Sequence, residues 1–256
     1  MNNPLFALST DFGLESSYVA QLKAVLLSAA PQARLVDVTH NLAPFSVRHA
    51  EAMLRGCYFA FPLGTVHLMV VDPGVGSSRR LLAVATRGFY FVGPDNGILG
   101  LPVSQPDAQV VELNHTELFR EPVAQTFHGR DIMAPVAAEL AQGLLLSDVG
   151  TPITNPTKST LPTPRIERYL VRGETLTRDR FGNLLTNIPR HALHEGVWNV
   201  RVGEESAQFV STYAEGSPGQ LLALIGSDGY LEIARREASA ADLLGADLEV
   251  VCDKVA

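Results

Sequence analysis

The pattern of apolar residues changes once along this chain, and that change constrains the fold more than any other feature. Up to about residue 150, short apolar strands alternate with amphipathic helical patterns, as in α/β layered folds. Residues 151–165 then hold four prolines without apolar periodicity, and short alternating runs split by Gly, Asp and Ser follow. The sequence predicts an N-terminal α/β domain (1–150), a linker rich in Pro and Thr (151–165) and a small C-terminal β-barrel-like or sandwich domain (166–256).

Periodicity locates the main elements of the N-terminal half. Ser17 and Ser46 are placed where serine caps a helix, before amphipathic runs. The first predicted helix begins after Ser17, and two further predicted helices cover 47–61 and 131–142. The predicted strands cover 5–9, 34–38, 65–71, 81–86, 89–92 and 109–113.

Composition excludes several classes of protein. A formal net charge of −7 argues against nucleic acid, because no basic stripe is available to neutralise phosphates. No apolar stretch is long enough to span a bilayer, and residues 1–4 lack the basic start of a signal peptide. We therefore expect a cytoplasmic protein with no membrane partner. Cys57 and Cys252 lack metal-ligand spacing and are interpreted as buried thiols.

A glycine-rich turn directly after an apolar strand carries the strongest indication of chemistry. The run 70–80 reads Val-Val-Asp-Pro-Gly-Val-Gly-Ser-Ser-Arg-Arg and places Asp72 close to Arg79 and Arg80. The carboxyl ends of strands are where α/β enzymes hold their active sites. A turn closed by a surface salt bridge to either arginine is the alternative.

Three further polar turns occur in the N-terminal half, at 9–13, 93–97 and 126–131. In a parallel sheet, successive strands end at the same edge, so Asp11 and Asp72 are expected to meet there with His128. Asp11 as a simple turn former and His128 as a histidine bonded to backbone are the alternatives. In the C-terminal half, residues 177–187 and 225–234 are either ordinary hairpins or loops that hold a ligand such as a purine. Walker, nucleophile-elbow and zinc-protease motifs do not occur.

Taken together, these segments resemble the S-adenosyl-L-methionine (SAM) hydroxide adenosyltransferase family, relatives of the fluorinases and chlorinases. The resemblance runs nearly end to end. It rests on Ser-Thr-Asp-Phe-Gly at 9–13, Val-Asp-Pro-Gly-Val-Gly at 71–76 with Arg79, Gly-Pro-Asp-Asn-Gly at 93–97, Phe-His-Gly-Arg-Asp at 127–131, Asp-Arg-Phe-Gly-Asn at 179–183 and Ser-Asp-Gly-Tyr-Leu-Glu-Ile-Ala at 227–234.

The resemblance implies an enzyme that splits SAM with water into adenosine and L-methionine, without a cofactor or metal. It also implies a homotrimer that holds SAM between neighbouring subunits. The implied catalytic residues are Asp72, Arg79 and His128. The implied substrate-binding residues include Asn96 and Asp179. The others have implied contacts: Asp11 on the ribose hydroxyls, Phe45 on the sugar or sulfonium, Phe181, Asn183 and Tyr213 around adenine or methionine, and Ser227 and Arg235 on the methionine carboxylate or adenine edge.

Two of these positions favour water over halide as the nucleophile. The halogenases that this chain resembles carry tyrosine at the position of Asp72 and no histidine at that of His128. Departures occur in the C-terminal half, where Asp228 replaces an arginine of the halogenases and the spacing from Asp179 to Phe181 is one residue shorter than theirs.

The chemistry places a limit on what Asp72 can do. SAM expels a neutral thioether, so only the nucleophile needs assistance. Forming free hydroxide from water of pKa about 15.7 with a carboxylate of ordinary pKa about 3.9 is uphill by roughly 16 kcal/mol. We therefore expect Asp72 and His128 to orient water and accept its proton late, while Arg79 fixes the carboxylate.

Two other functions stay open at this point. One is a metal-dependent hydrolase in which oxygen and nitrogen ligands come from Asp11, Asp72, Asp95, His128 and Asp131. The other is a SAM or adenosine sensor without turnover, in which Asp72 and Arg79 form only a structural ion pair.

Overall fold

The computed structural model describes residues 3–194 and 196–255 of the chain. Predictions that fall on residues 1, 2, 195 and 256 lie outside the described residues. The chain divides into two compact units, Met1–Thr160 and Leu161–Ala256.

The N-terminal unit is built on a mixed seven-stranded sheet. Its strands are β1 (Leu5–Thr10), β2 (Arg34–Thr39), β3 (Val66–Val70), β4 (Leu81–Thr86), β5 (Phe89–Pro94), β6 (Gln109–Leu113) and β7 (Gly150–Pro152). The order across the sheet is β2-β1-β3-β5-β4-β6-β7. The first four strands in this order pair in parallel, and β4, β6 and β7 are antiparallel to their neighbours.

Helices cover both faces of this sheet, because alternate side chains of the central strands point to opposite sides. The helices are α1 (Tyr18–Ala29), α2 (Val47–Leu54), α3 (Gly100–Val103) and α4 (Ala134–Ala141). On β3, Leu68 and Val70 belong to the core that includes α1 and α4, whereas Met69 belongs to the core that includes α2. The predicted α/β layered fold is confirmed for this unit.

The predicted helix ends are partly wrong. Ser46 caps α2 by accepting a hydrogen bond from the His49 backbone. Ser17 makes no such cap bond and instead accepts one from the Gln21 side chain at 2.9 Å. The second helix ends at Leu54 rather than at residue 61, because Gly56 and then Pro62 disfavour its continuation. The predicted helix over 131–142 is a π-helical turn, Gly129–Met133, followed by α4.

The segment predicted as a linker does not behave as a free connection. Its first residues belong to β7, and later ones bind the N-terminal unit. The Asn155 side chain accepts a hydrogen bond from Arg80, the Thr157 backbone donates to Asp95, and the Thr160 backbone donates to Glu51. Between β7 and Thr160 the segment has no regular secondary structure, but it makes fixed contacts.

The C-terminal unit is a closed seven-stranded β-barrel, which confirms the predicted barrel-like fold. Its elements are β8 (Arg165–Ile166), β9 (Leu170–Arg178), β10 (Leu184–Pro189), β11 (Trp198–Val202), β12 (Glu205–Phe209), β13 (Leu221–Ile225), β14 (Tyr230–Arg235), α5 (Ala240–Leu244) and β15 (Glu249–Lys254). The order is β10-β14-β13-β12-β11-β15-β9, with β8 outside, and pairing of β10 with β9 closes the barrel.

Several short 3₁₀ turns complete the two units, at Thr116–Leu118, Leu146–Asp148, Arg190–Ala192 and Tyr213–Glu215. Both cysteines are free thiols. Cys252 is buried as predicted, but Cys57 is only partly buried. Within residues 3–194 and 196–255, none of the helices combines the length and apolar character needed to cross a membrane.

Candidate active site

A cleft of about 250 Å³ opens where β1 and β3 end. These two strands are parallel neighbours, with Thr10 opposite Val70, so Asp11 and Asp72 follow them at the same edge of the sheet. Two predicted site residues from elsewhere in the chain, Phe45 and His128, also line the cleft. The complete lining is Asp11, Phe12, Tyr18, Pro44, Phe45, Val70, Asp72, Val75, Thr126, Phe127, His128 and Gly129.

The turn after β3 packs directly against the segment that leads to His128. Gly76 has a φ of +81°, a conformation that glycine adopts without strain. A Cβ atom at Gly76 would lie 2.7 Å from the carbonyl oxygen of Gln125. Glycine at this position therefore lets the Asp72 turn and the segment 125–128 approach closely enough to share one cleft.

Asp72 and Arg79 form a bidentate ion pair within this turn. The Arg79 Nε donates to Asp72 Oδ1 at 2.6 Å, and its Nη2 donates to Oδ2. The two side chains are only 6% and 11% exposed. Such fork geometry fixes the plane of the carboxylate.

Arg79 also donates from Nη2 to His128 Nδ1 over 3.0 Å. A guanidinium has no acceptor, so His128 Nδ1 must accept this bond and the proton of the neutral ring lies on Nε2. Burial lowers the pKa of His128 below its usual 6.5, and the charge of Arg79 lowers it further against the opposing charges of Asp72 and Asp131. The arrangement favours a neutral imidazole that presents an N–H group.

Asp131 anchors the segment that carries His128. Its carboxylate is fully buried and accepts from Arg130 Nε at 2.7 Å, from Arg120 Nη1 at 3.0 Å and from the Ala124 backbone at 2.9 Å. Burial raises the pKa of Asp131, but these bonds outweigh it and lower the pKa to about 2. One ionised carboxylate within the π-helical turn thus ties the turn to Arg120 and Ala124.

Asp11 and Phe45 are joined by a contact that spacing does not reveal. The Phe45 backbone donates to Asp11 Oδ2 at 3.0 Å, and Phe45 adopts a φ of +64°, which is unfavourable for a bulky residue. The Phe45 side chain is 75% exposed over the cleft. The hydrogen bond to Asp11 helps to hold this conformation.

Sequence reasoning missed two aromatic residues of the cleft, Phe12 and Tyr18. Together with Phe127 they form an edge-to-face cluster with ring centroids 5.3–5.9 Å apart. Phe12 belongs to the motif Ser-Thr-Asp-Phe-Gly at 9–13, and this motif could have indicated its place in the cleft. No sequence feature indicated that Tyr18 lines the cleft, since the first residue of an amphipathic helix is normally exposed to solvent.

Arg79, and not Arg80, faces the site. Arg80 donates to Asp95 Oδ2 at 2.8 Å and to Asn155. Asn96, a predicted substrate-binding residue, lies outside the cleft lining, and its side-chain amide donates to the Val71 carbonyl at 2.9 Å. Its observed contact supports the backbone next to Asp72.

The five residues of the metal-site alternative do not assemble. Asp95 and Asp131 accept hydrogen bonds from arginines and do not line the cleft that holds Asp11 and Asp72. Among the described residues, no group of three or more His, Cys, Asp or Glu side chains is arranged to hold a metal ion. The donor geometry therefore argues against this alternative.

In the C-terminal unit, Asp179 organises the loop between β9 and β10. Its Oδ1 accepts from the Phe181 backbone at 2.8 Å and from the Asn183 backbone at 2.9 Å, and its Oδ2 accepts from the Asn183 side chain at 3.0 Å. The Phe181 ring is 76% exposed. The segment is a hairpin, as the simpler interpretation predicted, and it presents an aromatic face.

The remaining predicted substrate-binding residues of this unit are Tyr213, Ser227 and Arg235, of which Tyr213 and Arg235 make hydrogen bonds within the unit. Tyr213 donates its hydroxyl proton to Glu232, a buried residue that sequence reasoning did not select. Burial raises the pKa of Glu232, and the charges of Asp179 and Asp228 raise it further against the Tyr213 hydrogen bond. Arg235 donates to the Gly219 carbonyl at 2.9 Å, and Ser227 is exposed in the turn before β14.

Comparison with known proteins gives a consistent result. Residues 6–150 match the SAM hydroxide adenosyltransferase N-terminal domain, and residues 173–251 match the SAM hydroxide adenosyltransferase C-terminal domain. The chain is 40% identical over 247 residues to the (R)-S-adenosyl-L-methionine hydrolase of Salinispora tropica, covering 94% of each chain. It is 26% identical over 274 residues to a fluorinase of Actinoplanes sp., covering 92% of each.

Among solved structures, an uncharacterized conserved protein from Thermotoga maritima superposes with a TM-score of 0.89 at 37% identity, covering 98% of this chain and 100% of that one. The match thus includes both the α/β unit and the barrel. Both halves of the sequence and the fold as a whole show that the chain belongs to the SAM hydroxide adenosyltransferase family.

Proposed function

We propose that this protein is a SAM hydrolase that produces adenosine and L-methionine. The observation that carries the proposal is that Asp72 and His128 line one cleft and that Arg79, behind the lining, bonds to both of them. The chain is also 40% identical to a protein named (R)-S-adenosyl-L-methionine hydrolase. The reaction forms a bond between the oxygen of water and C5′ of SAM. The C5′–S bond breaks, its electron pair remains on sulfur, and methionine leaves as a neutral thioether.

The geometry assigns different roles to Asp72 and His128, although either residue type could accept a proton. His128 Nδ1 accepts from Arg79, so the neutral ring has Nε2–H available as a donor rather than as a base. Asp72 is then the group that accepts the proton of water as the C–O bond forms. His128 orients the water by donating to its oxygen, and Arg79 holds both groups in place.

Substrate binding is assigned to the rest of the cleft and to the barrel. Asp11 accepts from the ribose hydroxyls, and Phe45 packs on the sugar or on the sulfonium, a cation that an aromatic face stabilises. Phe181 and Asn183 contact adenine or methionine, and Tyr213, Ser227 and Arg235 complete that part. No cofactor is required, because the sulfonium is itself the activated leaving group.

We further propose a cytoplasmic homotrimer, in which neighbouring subunits complete each substrate site. The support for trimerisation is family resemblance, and sedimentation velocity of the purified protein tests it. A monomer at micromolar concentration that still hydrolyses SAM would contradict the shared site.

A chromatographic assay with SAM, with and without EDTA and with excess chloride, tests the function. We expect adenosine and methionine in equal amounts, insensitive to EDTA. In ¹⁸O-labelled water the label should appear in the 5′-hydroxyl of adenosine, because water attacks C5′. Loss of turnover with EDTA would indicate a metal site, 5′-chloroadenosine would indicate halide transfer, and calorimetric binding without product would indicate a sensor.

A further inference from the structure

A buried histidine outside the catalytic constellation connects the two loops that carry Asp11 and Phe45. We propose that His40 is a positioning residue that joins residues 10–13 to residues 40–45, and we call these contacts the clasp. The clasp determines substrate affinity rather than the rate of the chemical step. The inference rests on the proposed function, because it takes Asp11 and Phe45 as substrate-binding groups. It assigns a role to a histidine without any recognisable motif around it.

The central contact of the clasp is a pair of buried side chains. Thr10 is fully buried and His40 is 4% exposed. Thr10 Oγ1 accepts from the Phe12 backbone at 3.2 Å and lies 2.9 Å from His40 Nδ1. A hydroxyl accepts through two lone pairs and donates one proton, so Thr10 can accept from Phe12 and also bond His40 Nδ1. The two bonds hold the backbone on both sides of Asp11.

Backbone contacts of the same two loops complete the clasp. The Gly13 backbone donates to the His40 carbonyl at 2.8 Å, and the Leu42 backbone donates to the Thr10 carbonyl at 3.4 Å. The Phe45 backbone then donates to Asp11 Oδ2 at 3.0 Å. Residues 10–13 are thereby tied to residues 40–45 at several points, and His40 contributes both a side chain and a carbonyl.

The far side of the His40 ring lies beside the Asp37 carboxylate, which is partly exposed. His40 Nε2 lies 3.0 Å from Asp37 Oδ1, and Asp37 Oδ2 accepts from Lys23 Nζ at 2.6 Å. Burial raises the pKa of Asp37, but the neighbouring Lys23 and His40 side chains outweigh this effect and lower the pKa. The nearby Asp37 carboxylate favours the tautomer with its proton on Nε2, in which Nδ1 accepts from the Thr10 hydroxyl. The approach of Nε2 to Asp37 is an ion-pair distance without hydrogen-bond geometry.

The clasp is separate from the catalytic constellation. The hydrogen bonds described for His40 join residues 10 and 13, whereas Arg79 and Asp131 hold Asp72 and His128. Loosening the clasp should displace Asp11 and Phe45 while the groups that activate water stay in place. A loss confined to binding raises KM and leaves kcat unchanged.

The test compares His40→Leu with His40→Asn in SAM kinetics and in adenosine binding by calorimetry. Loss of the Thr10 bond should raise both KM for SAM and Kd for adenosine about three- to tenfold in His40→Leu, with kcat within about twofold of wild type. His40→Asn should recover most of the affinity, because its Oδ1 can take the place of Nδ1 as an acceptor. His67→Leu is the matched control, since His67 is equally buried but lies among Tyr58, Phe61 and Phe91.

Several outcomes would overturn the proposal. They are a folded His40→Leu protein with wild-type KM and Kd, a fall in kcat at unchanged KM, and an Asn variant no better than Leu. If His40→Leu does not fold, Thr10→Val, which keeps the shape but removes the hydroxyl, must show the same rise in KM. Absence of SAM hydrolysis by the wild-type protein would instead reject the proposed function, and adenosine affinity would still test the clasp.

Discussion

At the scale of single residues, Asp72 is the group on which the proposed chemistry depends most. Asp72→Asn keeps the size of the side chain but removes the proton acceptor. We expect kcat to fall about 10²- to 10⁴-fold, the range typical for loss of a general base. Adenosine affinity should change little, because Asp72 is assigned to the water and Asp11 to the ribose. Single-turnover kinetics and calorimetry measure the two effects.

A second aspartate of the same unit provides the matched control for Asp72. Asp95 also pairs with an arginine, Arg80, but it does not line the cleft. Asp95→Asn should therefore leave kcat and KM unchanged. Equal losses of kcat in both variants would indicate that ion pairs in this region act only through stability.

The protonation state of His128 yields a second residue-scale prediction. Burial and the Arg79 charge lower the pKa of His128 below 6.5, so the ring is neutral at pH 7 and becomes charged only in more acidic solution. Removing the guanidinium in Arg79→Gln should raise the pKa of His128 above its wild-type value. NMR titration of the imidazole measures this directly, without need of activity. An unchanged or lower pKa in the variant would show that Arg79 does not control His128.

Only part of this site could be predicted from sequence, for physical reasons. Asp11 and Asp72 were predictable as neighbours because parallel strands end at one edge of a sheet. The choice between Arg79 and Arg80 depended on Asp95 and Asn155, which are distant in sequence. Which partner an arginine finds is a tertiary property, and spacing alone does not encode it.

At the scale of elements, the π-helical turn after His128 depends on Asp131. Asp131→Asn leaves two arginines without their buried anion, which typically costs about 3 kcal/mol. We expect a lower urea midpoint together with reduced kcat, since the turn positions His128. The pKa of Asp131 is lowered to about 2, so its contribution is present above pH 3.8 and is lost as the pH falls towards 2.

Asp107→Asn is the control for Asp131, because Asp107 is an exposed carboxylate that accepts from Thr86 and from the Arg87 backbone. It should shift the urea midpoint far less and leave kcat unchanged. If Asp131→Asn were no more destabilised than Asp107→Asn, the anchoring role of Asp131 would be wrong.

Elements were predictable where one local signal dominated. Ser46 lies before a run in which Ala50, Ala52 and Leu54 are buried, and it caps α2 as predicted. The π-helical turn was not predictable, because it depends on Arg120 and Arg130 reaching one buried carboxylate rather than on local propensity. The contacts of the segment predicted as a linker were not predictable for a similar reason, since Thr157 and Thr160 bind Asp95 and Glu51, which lie far away in sequence.

At the scale of the whole molecule, the two units should respond in opposite directions to mild acid. Burial lowers the pKa of three histidines in the N-terminal unit, His49, His67 and His128, and that of His67 reaches about 4. Between pH 6.5 and about 4 the unfolded chain binds more protons at these sites than the folded chain does. The stability of this unit therefore decreases as the pH is lowered through this range. In the barrel, the pKa of Glu232 is raised, so the folded state binds this proton at a higher pH than the unfolded state does. Protonation of Glu232 therefore stabilises the barrel as the pH is lowered.

Urea denaturation at pH 7.5 and pH 5 can separate these effects, because the chain has a single tryptophan, Trp198, which is 3% exposed in the barrel core. Its fluorescence follows the barrel, whereas helical circular dichroism mainly follows α1, α2 and α4 of the other unit. At pH 5 we expect the helical transition to lose about 2 kcal/mol from His67 alone, and the Trp198 transition to hold or gain stability. His67→Leu should remove most of the pH dependence of the helical transition. A parallel fall of both transitions in the wild-type protein would contradict this assignment.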